Sequence, residues 1–136
     1  MQYNRTVGCV DIHIDTKRID NNIRNAQKLL NMQVSADCDE YIPMNQGALR
    51  GSVNYPDGIY GGEIEWNTPY AHYQYEGELY LTEDGRSFAN KGEQKYPTGM
   101  PLHYHTPGTS DHWFERAKET HGQQWIDLVK REVGKG

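Results

Sequence analysis

Apolar and polar residues alternate from Val10 to Ile14, the period of two that puts every second side chain on one face of a strand. From Thr16 the period changes. Ile19, Ile23, Ala26, Leu30 and Val34 recur at steps of four, three, four and four, with charged and amide residues between them. This is the one-sided stripe of an amphipathic helix. Asp15 or Thr16 can cap its free amides, and the stripe runs on through Cys38 until Pro43, whose ring disfavours helical geometry at Ile42. A stripe on one face needs a cover, and a sheet is the expected one.

Beyond Pro43, residues Met44 to Arg50 read as a turn or a single helical turn. Gly51–Tyr55 and Gly62–Trp66 read as two strands joined through the turn signal Pro56-Asp57-Gly58, an antiparallel hairpin with Ile64 and Trp66 on one face and Glu63 and Glu65 on the other. Pro69–Gly77 has proline at the start and glycine at the end of a short helix, with Tyr70 and Tyr73 sharing a face. From Glu78 to Gly108 the periodicity dissolves among turn pairs such as Asp84-Gly85 and Pro107-Gly108, which predicts a long working loop, mobile until assembly orders it. Thr109 or Ser110 is positioned to cap a second long helix. Its stripe is Trp113, Phe114, Ala117, His121, Gln124, Trp125, Leu128 and Val129, and Gly134 ends it. No repeat or low-complexity tract interrupts the chain. The expected fold class is α+β: one domain over residues 1–136, a small antiparallel sheet packed against two long helices, with a long turn-rich loop.

Composition adjusts this picture toward an assembling subunit. Hydrophobic residues make up only 35%, and ten tyrosines stand against two phenylalanines. A small core follows, with a surface whose rings and hydroxyls suit contacts that are wet in the free subunit and covered in an assembly. The formal charge is -5 and the 14 Lys and Arg residues are scattered, which disfavours wrapping nucleic acid. No apolar run approaches the roughly 20 residues that span a bilayer, and the start carries no run of signal-peptide length, so synthesis in the cytoplasm and no membrane partner are expected. Cys9 and Cys38 form no CxxC pair and are expected as reduced thiols.

Candidate chemistry is sparse. His103 and His105, two apart, would face the same side of a strand and could share a metal, but no third ligand lies at ligand spacing. His72, His112 and His121 each stand alone. The pairs Glu63 with Glu65 and Glu76 with Glu78 could flank a glycosidic bond, yet strand alternation explains the first pair, and nothing sets one carboxylate apart from the other. Tyr70, Tyr73 and Tyr75, with Trp66 upstream, could stack sugars or bases; without interleaved basic residues, a hydrophobic seam is the simpler reading. No catalytic residue, cofactor or metal is expected.

Three stretches, in order, resemble one family. Tyr41-Ile42-Pro43-Met44-Asn45-Gln46-Gly47-Ala48-Leu49-Arg50-Gly51-Ser52-Val53 resembles the Pro-x-x-x-Gly-x-Leu-Arg-x-Ser element of tail-completion and neck proteins of long-tailed phages. The run from Trp66 through Pro69-Tyr70-Ala71-His72-Tyr73-Gln74-Tyr75-Glu76-Gly77 resembles their Pro-Tyr-Ala-x-Tyr-x-x-x-Gly element. Gly77-Glu78-Leu79-Tyr80, Lys95–Gly99, Thr106-Pro107-Gly108 and His112-Trp113-Phe114-Glu115-Arg116-Ala117-Lys118 resemble the phage minor capsid proteins within that group. Gln46 departs from the threonine many relatives carry.

The resemblance implies a structural virion protein rather than an enzyme. It would be made in the host cytoplasm and assembled as a homo-oligomeric ring, expected to be a hexamer, in the neck between capsid and tail. Such a ring contacts neighbouring neck and tail proteins and lets duplex DNA pass without specific binding. It also implies structural or interface roles for Pro43, Gly47, Leu49, Arg50, Trp66, Pro69, Tyr70, Ala71, Tyr73, Tyr75, Gly77, Trp113 and Phe114. The competing expectation is a soluble carbohydrate-binding or hydrolytic accessory protein using the Tyr-Trp cluster and the paired glutamates.

Overall fold

Two long helices carry the fold: α1 (Lys17–Asp39) and α3 (Trp113–Val133). The computed structural model describes residues 1–44 and 47–136, so the departure at Gln46 lies outside the described residues. The helices run antiparallel. Asn22 near the start of α1 donates to the carbonyls of Val133 and Lys135, while Trp125 Nε1 donates to Asp37 Oδ2 at 2.7 Å and Tyr41 Oη meets Thr120 Oγ1 at 2.9 Å at the other end. The covered part of the α1 stripe therefore meets α3, not a sheet, because the strands are too short and too scattered to form a covering layer.

The class is α+β, and among the described residues the antiparallel strands form three separate two-stranded ladders. In the first, β1 (Gln2–Val7) pairs with β2 (Val10–Asp15) through a two-residue turn whose first residue, Gly8, has φ +63°, as a type II′ hairpin requires. A 3-10 turn at Arg50–Ser52 leads into β3 (Val53–Asn54), which pairs with β4 (Glu65–Trp66) in the expected hairpin, shortened to two residues per strand. Next, α2 (Ala71–Glu76) leads into β5 (Glu78–Thr82), which pairs with β6 (Lys95–Pro101). The segment expected as an irregular loop is thus largely a hairpin with a long connection. Pro97, Gly99 and Pro101 in β6 erase its strand signal, and proline is tolerated because the ladder has only two strands and every strand is an edge.

Helix α3 begins later than expected. Thr109 and Ser110 precede it without capping it, and His112 takes the N-cap position at φ +47°. At α1 Thr16 takes the N-cap position without a side-chain cap bond, and Asp15 just before it accepts from Lys17 N through Oδ1 at 2.9 Å. Gly134 follows the last residue of α3, as expected.

The core gathers at one end of the helix pair: Val34 and Cys38 from α1, Ile42, Leu49, Ala71, then Trp113, Ala117 and Trp125 from α3. At the other end Ile19 and Ile23 remain 45% and 51% exposed, since there α3 reaches α1 through the Asn22 amide and no strand lies across them.

Candidate functional site

The first family-like element wraps the C-terminal end of α1. Helix α1 ends at Asp39, four residues before Pro43, Ile42 is enclosed, and Arg50 reaches back to donate from Nε to the Ile42 carbonyl at 2.9 Å. Gly47 has φ +74°, and the nearest atom to a Cβ built there is Met44 Cε at 3.9 Å, so left-handed backbone and not crowding selects glycine. That turn drives Leu49 inward to 2% exposure. Pro43 and Leu49 then share a cleft of about 150 Å³ with Tyr70 and Gln74 of the second element.

The second element delivers aromatic rings onto α3. Trp66 and Tyr75 both stand edge-on to Trp113, with ring centroids 5.9 and 4.7 Å away. The Tyr75 hydroxyl donates to the Glu115 carboxylate, and burial together with that acceptor raises its pKa. Gly77 caps α2 at φ +75°, where a Cβ would sit 2.8 Å from Asp111 Cβ. Around this cluster the chain from Leu102 to His112 is stitched down by backbone: Leu102 N to Gly77 O at 2.9 Å, Ser110 N to Tyr41 O at 3.0 Å and His112 N to Tyr75 O at 2.9 Å. Tyr104 Oη adds a bond to the Gln74 carbonyl at 2.5 Å.

Leu49, Trp66, Ala71, Tyr75 and Trp113 therefore meet in or against one core. The others point elsewhere. Tyr73 packs on Tyr80 at 4.8 Å with Lys95 Nζ above its ring, Pro69 and Tyr70 are exposed, and Phe114 lies half-open, stacked on Trp125. The tyrosines are split between inside and outside, so they make a seam and not a flat platform for sugars or bases. Sequence reasoning missed Asn31, a buried amide on α1 whose Nδ2 donates to the carbonyls of Ile59 and Gly61 at 2.8 and 2.7 Å and pins the β3–β4 connection to the helix. It also missed Asp37 and Glu40, the partners of Trp125 and His121. An amide or acid between stripe positions gives no sign of the partner it meets.

The rings of His103 and His105 stack 6.5 Å apart, and among the described residues no group of three His, Cys, Asp or Glu is placed to hold a metal. Cys38 is fully enclosed, and burial pushes its thiol up to about 12, far from a reactive thiolate. Glu63 and Glu65 are exposed.

Two apolar surfaces stand open instead. A groove of about 790 Å³ runs between α1 and α3 beside Gly62 and Ile64, floored by Leu30, Val34 and Trp125 and walled by Ile126. The β1–β2 hairpin is exposed along its whole length. Its register puts Tyr3, Arg5, Val7, Val10, Ile12 and Ile14 on one face, while the other carries three cross-strand polar pairs: Gln2 with Asp15, Asn4 with His13 and Thr6 with Asp11.

The profile of the family described as Minor capsid protein matches residues 9–133, nearly the whole chain. No curated protein and no solved structure matches it.

Proposed function

The chain belongs to the minor capsid protein family, structural components of the phage virion, and we propose that it is one subunit of a homo-oligomeric ring, a hexamer, in the neck that joins capsid to tail. The carrying observation is surface. The subunit exposes 9490 Å², whereas a compact monomer of its mass exposes about 7,300 Å². An excess of about 2,200 Å² is what two interfaces per subunit would cover, at about 800 Å² each, with some to spare for a neighbouring neck or tail protein. The subunit is made in the host cytoplasm and joins the virion there. The ring surrounds the passing duplex without holding it.

The test is genetic and microscopic. Removing the gene from the phage should leave filled heads and free tails unjoined, and label on a tagged copy should sit at the head–tail junction of intact particles. Label spread over the capsid shell, or joined particles without the gene product, would refute the neck position.

A further inference from the structure

The open hairpin and the open groove lie on the same chain, and they do not meet. Only Thr16 separates β2 from α1. Thr16 N and Oγ1 both donate to the Met1 carbonyl, and Lys17 N donates to Asp15, so the joint is fixed on both strands. The groove begins at Gln27, eleven residues along α1 from the joint, about 16 Å at the helical rise. Held this way, the hairpin lies outside its own groove, none of whose lining residues it supplies.

We propose that the apolar face of the β1–β2 hairpin docks into the α1–α3 groove of a second copy of this chain, head to tail, and that this contact builds the ring. Three observations select a second copy as occupant. An isolated two-stranded hairpin is marginal in water unless its apolar face is covered, and this one presents Val10, Ile12 and Ile14 along a single side. The groove offers a matching apolar floor of Leu30, Val34 and Trp125. Finally, the surplus surface suffices for a subunit that both gives a hairpin and receives one. A contact between unlike surfaces is heterologous, and such contacts close into rings when the rotation allows. This docking deepens the ring-subunit reading and rests on it.

Two exposed positions test it without disturbing the core: Ile12→Asp on the hairpin, 38% exposed, and Ile126→Asp on the groove wall, 50% exposed. Circular dichroism confirms that each variant keeps its helices, with Val10→Asp replacing Ile12→Asp if it does not. By light scattering at about 100 µM, the wild-type chain should assemble while each variant stays monomeric, its self-affinity weakened more than about tenfold. An equimolar mixture of the two variants should form a 1:1 dimer and nothing larger, because one intact hairpin then meets one intact groove. Assembly by either variant alone, or a mixture that stays monomeric, would overturn the docking. Hairpins that pair with one another would show it by losing assembly only in Ile12→Asp. A wild-type chain that is monomeric in solution yet labels the head–tail junction overturns the docking and leaves the neck assignment standing. Dimerising variants of a protein absent from the junction would do the reverse.

Discussion

Leu49 ties the turn after α1 to the core, and its nearly complete burial predicts that Leu49→Ala lowers the unfolding free energy by about 2–5 kcal/mol, measured by urea denaturation. Gly77→Ala is expected to destabilise by at least about 1–2 kcal/mol: the left-handed backbone resists any Cβ, and this one would press on Asp111. Both positions are legible in the sequence, since glycine beside turn and helix-end signals marks backbone that other residues avoid. Asn31 is not. A polar residue on an amphipathic helix normally faces water, and its carbonyl partners at Ile59 and Gly61 lie 28 and 30 residues away. Asn31→Ala leaves both carbonyls short of a donor and should cost about 1–3 kcal/mol, a loss that an exposed asparagine such as Asn25 would not give.

The two long helices are legible because their apolar period persists over five turns or more, whereas the hairpin of β5 and β6 is hidden by prolines and a bulge between Glu78 and Tyr80. What covers each helix was beyond periodicity, which says that a face is apolar and not what meets it. The β5–β6 pairing changes the expectation for hydrogen exchange: amides bonded across that ladder should be slowed, and those from Ser87 to Lys91, between the strands, should exchange fast. Equal, fast exchange across all of 78–108 would mean the ladder is not held in the free subunit. The contact between the end of α1 and α3 should respond to pH. His121 Nε2 lies 2.8 Å from Glu40 Oε1, and that hydrogen bond holds the imidazole above its ordinary pKa. A raised folded-state value means the contribution is complete below about 6.5, the unfolded histidine value, and is lost as pH rises through the folded one. Denaturation midpoints should therefore decline across this window in the wild type, and less so in His121→Gln.

At the scale of the molecule, a core of nine buried hydrophobic residues among the described residues fits the low hydrophobic content, and the surplus surface is its counterpart. The family-like motifs proved partly to be core-building elements, so the sequence located the cluster around Trp113 without separating rings that face inward from rings that face out. Net charge belongs to this scale too. With -5 per subunit and Arg86 and Arg116 engaged by Asp84, Glu93 and Asp111, the proposed ring should bind duplex DNA no tighter than micromolar near physiological salt, since phosphate affinity needs clustered free cations. Submicromolar binding that collapses with added salt would reveal a basic lining created by assembly. The single-residue joint at Thr16 carries a geometric consequence of its own. If each hairpin is fixed to its helix and seated in the next subunit, the joint acts as a protractor: six copies close when successive subunits turn by about 60°, and the angle is written into that corner of the backbone. One residue inserted there would swing the hairpin by about 100° about the helix axis, trading closed rings for open spirals while leaving both docking surfaces intact.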